Sequence, residues 1–281
     1  MTDSANNEVL IDLFAGWASG GATSVFCSQP IDTVLTRKQA GSAVKKSTKS
    51  LVGSYGLQSL WRGSSAMIGA IPFQNGMLMA GYGIGKRFSE EHRPDQVLLG
   101  AFIGGCTGGI VQSFLMSPVE LIKVNQQVGG KSLSSAAALV SSNLLSKNVG
   151  WKGLEATLLR DGIPHGVWFA SYEYCKRTLE KMDQFDAKEN SAFITLFSGS
   201  FAATAAWGVG YPFDIIKTRI QASSEAKSVV QATMEIIQES NGRTLPALYK
   251  GFSLKLAKAV PASAVNFFVY ESVAERMRGN N

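Results

Sequence analysis

Three charged residues stand where apolar residues would be expected. Arg160, Asp161 and Lys258 each fall within a stretch of about 20 mostly apolar and small residues, Ala156 to Tyr174 and Ser253 to Val273. Such charges are costly in an apolar span and belong on the wall of a polar cavity. An arginine fork binds a carboxylate through two bonds, and an aspartate accepts an ammonium. Arg160 beside Asp161 therefore suits an amino-acid-like zwitterion, with Lys258 adding a further anion-binding group. Adjacent positions on a helix diverge, which predicts that Arg160 and Asp161 do not simply pair with each other. Further acids follow prolines: Pro30-Ile31-Asp32, Pro118-Val119-Glu120 and Pro212-Phe213-Asp214. Lys123 and Lys217 stand three residues beyond Glu120 and Asp214, on the same helix face as the acids. Leu35 takes that place in the first unit.

These positions recur because the chain repeats. The prolines are separated by 88 and 94 residues, and nine residues past each stands a glutamine: Gln39, Gln127 and Gln221. An aromatic-basic-Gly unit follows each time, as Trp61-Arg62-Gly63, Trp151-Lys152-Gly153 and Tyr249-Lys250-Gly251. The repeats run approximately over 8–92, 93–188 and 189–281 of one 281-residue domain. Each reads as helix, basic polar loop, helix. The first helices are Leu10 to Gln29, Val97 to Ser117 and Ala192 to Tyr211; the second are Ser65 to Gly85, Ala156 to Tyr174 and Ser253 to Val273. All are about long enough to cross a ~30 Å hydrocarbon core. Glycines and alanines at spacing four (Gly16/Gly20, Gly100/Gly104/Gly108, Gly199/Ala203) predict close helix packing in lipid. Three equivalent prolines would bend three helices toward one axis and close one end of a barrel. The segments Lys131 to Lys147 and Ser224 to Ser240 read as amphipathic helices on the membrane surface.

Composition narrows the classes. Charged residues make up 17% and hydrophobic residues 45%, with mean hydropathy +0.06, which suits either a large-cored helical enzyme or a membrane bundle around a polar cavity. The net charge of +6 comes without a dense basic run interleaved with aromatics, so a nucleic-acid partner is not expected, whereas an anionic lipid surface is. Lys45, Lys46 and Lys49 form the richest basic cluster. Cys27, Cys106 and Cys175 build no disulfide framework, and with His92 and His165 they show no zinc-ligand spacing, so neither metal nor cofactor is expected. Asn125 to Ser132 approaches a phosphate-binding P-loop but lacks its first glycine and follows a helix rather than a strand. No nucleophile elbow or Ser/His/Asp arrangement suggests a hydrolase, and His165 reads as a cavity or packing residue. An enzyme is not expected. The start MTDSANNEVLID is acidic, with neither a signal peptide nor an Arg-rich presequence.

The proline-acid-base units, their glutamines and the aromatic-basic-Gly units closely resemble the mitochondrial carrier family across nearly the whole chain. The resemblance implies an all-α membrane protein of the inner mitochondrial membrane. Six transmembrane helices would form a pseudo-threefold barrel, with a central cavity and short matrix-side surface helices. It further implies termini toward the intermembrane space, alternating-access exchange of a small-molecule substrate, lipid partners including cardiolipin, and a monomer. In the family the proline-linked charges form a matrix gate. By position, Asp32 would pair with Lys123 and Glu120 with Lys217, steadied by Gln39, Gln127 and Gln221. Asp214 would face Leu35, with Arg37 or Lys38 the nearest bases to reach it. A cytoplasmic gate would draw on Lys86, Glu173, Lys176 and Glu271. Only Glu271 with Lys86 remains a family-type pair, since Gly83 and Ala274 replace charged positions. The family's substrate contacts fall on Ala70, Arg160 and Lys258. Leu159 to Phe169, Gln112 to Phe114 and Trp207 resemble the carnitine/acylcarnitine and basic amino acid branch (ornithine, arginine, lysine). A carrier for S-adenosylmethionine, a keto acid or a nucleotide, and a non-transporting receptor or scaffold, are the alternatives.

Overall fold

A computed structural model describes residues 2–41, 52, 56–144, 150–182, 191–225 and 227–279. The described residues are helical with short connections. Helix α1 (Thr2–Thr23) passes through a π-helical turn (Ser24–Ser28) into α2 (Gln29–Ala40). A 3-10 turn (Leu57–Trp61) leads to α3 (Ser64–His92), then α4 (Val97–Gln127) and the short α5 (Leu133–Ser141). Next come α6 (Leu154–Glu180), α7 (Ser191–Ala222), the short α8 (Val229–Glu239), α9 (Thr244–Leu248) and α10 (Phe252–Gly279). The cluster Lys45, Lys46 and Lys49 lies outside the described residues.

The long helices form a ring in chain order. Helix α1 packs on α3 and α10, α3 on α4, α4 on α6, and α6 on α7. Helix α7 meets the start of α10 through Tyr211, Tyr249 and Phe252, whose rings stack or meet edge-on. Large apolar side chains face outward, including Phe26, Phe73, Ile84, Phe88, Leu196 and Phe268. A soluble protein would bury such a surface; a membrane protein presents it to lipid. Val97–Gln127 and Phe193–Ala222 are long and apolar enough to cross a membrane by composition alone.

The first long helix of each repeat continues through its proline, Pro30, Pro118 or Pro212. A proline lacks the N–H that would bond the carbonyl four residues earlier. In repeat three that carbonyl belongs to Gly208, and the Tyr249 hydroxyl donates to it at 2.7 Å. In repeat one the chain takes a π-turn before Pro30, and the indole of Trp61 donates to the Val25 carbonyl at 2.6 Å. In repeat two Trp151 instead packs edge-on against Phe114 and donates to Leu144. The aromatic of each aromatic-basic-Gly unit thus pins or braces a proline bend. Its glycine is required as well: Gly63, Gly153 and Gly251 have φ of +92°, +82° and +92°, where a Cβ is strained.

Small residues set the seams between α3, α4 and α6. A Cβ on Gly108 would come within 2.5 Å of the Leu78 carbonyl oxygen, and one on Gly109 within 2.1 Å of the Asp161 carbonyl oxygen. Two glycines of the spacing-four pattern behave differently, because Gly16 and Gly199 have open space where a Cβ would be. Gly20, in the row of Gly16, would instead bring a Cβ to 3.3 Å from the Ile71 side chain. The surface segments read from sequence form shorter helices than their spans. Helix α5 is capped by Ser132, and α8 by Ser228 with Gln231 in a reciprocal capping box.

Candidate functional site

The bends bring α2, α4 and α7 together at one end of the ring, where the proline-linked acids meet bases from other helices. Lys123 Nζ lies 3.4 Å from Asp32. Lys217 forms an ion pair with Glu120, and its side chain is buried. Both contacts join different repeats. Two of the three equivalent positions cross a left-handed glycine of the neighbouring repeat, whereas Gly153 meets Ile220 and Gln221 instead of Lys217. The Lys123 stem packs at the Gly63 position, and Leu35 packs at the Gly251 position.

Asp214 departs from the expectation. Neither Arg37 nor Lys38 is its partner: Arg37 donates to the Gln127 carbonyl at 2.7 Å, and Lys38 is exposed. Lys255 of α10 lies 3.5 Å from Asp214, Arg160 approaches at 3.8 Å, and Gln39 donates to it at 3.2 Å. Lys255 also sits 4.0 Å above the centre of the Trp207 ring. Sequence reading missed Lys255. Its counterparts four residues past the other two glycines are Met67 and Thr157, so no repeat pattern marks it.

The cavity-lining charges meet the same acids. Lys258 pairs with Asp32. Arg160 donates to Glu120 at 2.9 Å and contacts Asp161 at 2.7 Å. The expectation that adjacent helix positions keep Arg160 and Asp161 apart is therefore corrected. Arg160 is long enough to fold back, and Ser113 holds the other carboxylate oxygen of Asp161 at 3.2 Å. The Nε of Arg160 is buried without a hydrogen-bond partner. Five cations (Lys123, Arg160, Lys217, Lys255, Lys258) thus meet four carboxylates (Asp32, Glu120, Asp161, Asp214), leaving one surplus positive charge. A small cavity of about 80 Å³ remains among them, bordered also by Gln39, Gln127 and Gln221. Gln127 donates to Thr33 at 3.0 Å, while the Gln221 amide nitrogen is buried without a partner. Ala70 is buried in α3.

At the other end, charges pair within helices. Lys86 lies 3.8 Å from Glu90, Lys176 lies 3.9 Å from Glu180, and Arg177 lies 2.5 Å from Glu173. Each is an i,i+4 contact along one helix, and among the described residues none of these pairs joins neighbouring helices. The side chain of Glu271 falls outside the described residues. Among the described residues no cluster of His, Cys, Asp and Glu has metal-binding geometry.

A ring of long helices in three repeats, lipid-facing outside and charged within, defines a membrane carrier. The family model for mitochondrial carrier proteins matches residues 5–93, 95–183 and 188–281, and the chain belongs to this family. It is a transporter of the mitochondrial inner membrane and not an enzyme. Among its relatives, the mitochondrial arginine transporter BAC2 of Arabidopsis thaliana is 30% identical, over 92% of this chain and 88% of the relative. The glutamate/glycine mitochondrial carrier ymc1 of Schizosaccharomyces pombe is 28% identical over 95% and 94%. The mitochondrial RNA-splicing protein MRS3 of Saccharomyces cerevisiae is 35% identical over 64% and 57%.

Proposed function

We propose that this carrier exchanges a small amino-acid-like zwitterion by alternating access: a basic amino acid such as ornithine, arginine or lysine, or carnitine and its acyl esters. The observation that carries the reading is Arg160. Its guanidinium is shared among Glu120, Asp161 and Asp214, yet its buried Nε–H has no acceptor. A solute carboxylate would complete that donor set, and Asp161, one residue on, would receive the solute ammonium. Lys258, Ala70 and Trp207 are read as the remaining contacts. The name of the Arabidopsis relative supports a basic amino acid. The surplus positive charge at the site favours an acidic amino acid as the second reading, and the name of the fission-yeast relative is in keeping with it.

The acids and bases at the bent end act as the matrix gate on this reading, closed in the state seen. The opposite end is the cytoplasmic gate, with Lys86, Glu173, Lys176 and Glu271. Six helices cross the membrane with both termini toward the intermembrane space, and the carrier works as a monomer. Cardiolipin is its proposed lipid partner. A groove of about 560 Å³ suits it, combining Lys152, Lys227 and the start of α8 at Ser228 with apolar Phe114, Ile220 and Val229. Burial, and then the neighbouring Lys227, push the Lys152 ammonium below the usual lysine range, and an anionic headgroup would offset both.

The test is exchange by purified protein in liposomes loaded with one unlabelled solute. Labelled arginine, lysine, ornithine, carnitine, glutamate and a keto acid are offered in turn. Saturable uptake of a basic amino acid or carnitine is expected. Preference for glutamate selects the second reading, and preference for the keto acid overturns both.

A further inference from the structure

The acid of the third repeat has lost its cross-repeat base, yet it is not left alone. Leu35 packs at Gly251 as the Lys123 stem packs at Gly63, so the backbone would accept a lysine at position 35. The sequence supplies leucine, buried to 2% exposure. The positive charge arrives from another direction. Lys255 leaves the second turn of α10 and lies between the Asp214 carboxylate at 3.5 Å and the Trp207 ring at 4.0 Å. A ring face attracts a desolvated ammonium, so carboxylate and indole together hold Lys255 from both sides. Its side chain is only 12% exposed, as is that of Asp214.

We propose that Lys255 is the third gate cation of this carrier, seated by Trp207. Resting on the matrix-gate reading above, it makes the gate asymmetric. Two seams between repeats are latched by cross-repeat ion pairs, Asp32–Lys123 and Glu120–Lys217. The third acid takes its nearer cation from its own repeat, because Asp214, Trp207 and Lys255 all belong to repeat three, while Arg160 of repeat two stands farther off at 3.8 Å. The seam between repeats three and one is then held by Lys258 of α10 on Asp32, by apolar contact at Leu35 and by Gln39. Gln39 donates to Asp214, while its side-chain oxygen accepts from Thr218 at 3.2 Å. Without Lys255, Asp214 would compete harder for Arg160, which the solute also needs.

The test reads gate closure apart from the solute. In a background whose three cysteines are replaced by alanine, Thr36→Cys places a thiol on the cavity at the closed end. Labelling by a membrane-impermeant maleimide is followed from the matrix face in inside-out inner-membrane vesicles. Lys255→Met should raise the labelling rate, and slow arginine exchange, by at least about tenfold, because a buried pair has lost one member. Lys255→Arg should behave as the parent. Lys255→Met with Leu35→Lys should return labelling toward the parent value by restoring the charge from the other side. Lys255→Met with Asp214→Asn should do so in part by removing the orphaned acid. A lysine that served packing alone would be rescued by neither. Unchanged labelling in Lys255→Met overturns the proposal, as does failure of both second-site changes to restore labelling. A parent that exchanges no arginine would instead count against the proposed substrate and leave the labelling result standing.

Discussion

Arg160→Ala should leave one carboxylate stranded, and the structure says which. Glu120 keeps Lys217, and Asp214 keeps Lys255 and Gln39. Asp161 keeps only the Ser113 hydroxyl, and its side chain is 4% exposed. Removing one member of a buried ion pair costs about 3–5 kcal/mol. The lower end applies, since 15% of the Arg160 side chain reaches solvent. For a chain of this size about 3 kcal/mol lowers the melting temperature by roughly 6–12 °C. Adding Asp161→Asn removes the stranded charge while keeping an acceptor for Ser113, so about half of that loss or more should return. Transport should not return, because carboxylate and ammonium contacts are both gone. The assay is thermal unfolding of the purified protein in one detergent, with exchange in liposomes measured alongside. If Arg160→Ala melts within about 2 °C of the parent, or if Asp161→Asn destabilises it further, Arg160 does not hold Asp161.

Asp32→Lys should nearly abolish exchange, since it sets a third ammonium against Lys123 and Lys258. Adding Lys123→Asp should recover only part, because Lys258 then has to choose a new acid; initial rates at matched expression decide. Gly109→Ala should cost about 1–3 kcal/mol of stability. Its Cβ would lie 2.1 Å from the Asp161 carbonyl oxygen and force α4 from α6. Gly199→Ala, with open space around it, is the control and should melt within about 2 °C of the parent. Stabilisation by added cardiolipin should shrink in Lys152→Gln. In the parent it should fade as pH rises through the lowered Lys152 value, where the ammonium is lost, and so sooner than for an ordinary lysine. Equal stabilisation of both proteins across that range would remove Lys152 from the lipid site.

The repeated positions were legible because threefold geometry forces the same residue types to the same offsets. Spacing put the acids and bases on one face, the resemblance to the carrier family paired Asp32 with Lys123 and Glu120 with Lys217, and the folded chain brings both pairs together. Lys255 was not legible, since a residue that compensates for a broken repeat has no counterpart to be aligned with. The folding back of Arg160 onto Asp161 was hidden for another reason. Cβ directions diverge at adjacent positions, but a side chain with four rotatable bonds overrides them when Ser113 and Glu120 fix the geometry. The length of α4 and α7 was underestimated because a proline reads as a boundary. The bonds from Tyr249 to Gly208 and from Trp61 to Val25 are tertiary, and they are what let the chain bend and continue.

On the proposed reading, the cations that would hold the solute are the ones paired with the gate acids, and this argues for exchange over one-way flow. Arg160 spans Glu120, Asp161 and Asp214, and Lys258 sits on Asp32. A solute carboxylate that takes Arg160 leaves Glu120 to Lys217 and Asp214 to Lys255, loosening two acids at once. Each charge-assisted hydrogen bond is worth about 1.5–3 kcal/mol. A net transfer of about 3 kcal/mol from gate to solute shifts a two-state equilibrium by roughly a hundredfold. The empty carrier has no such compensation, because its cations return to the acids and latch the closed state. The return step then needs a solute too. Uptake into liposomes without internal substrate should therefore run at least about tenfold slower than into loaded ones. Arg160→Ala should narrow that gap while lowering both rates. Equal uptake into empty and loaded liposomes would show that the carrier reorients unloaded, and that Arg160 does not link solute binding to the gate.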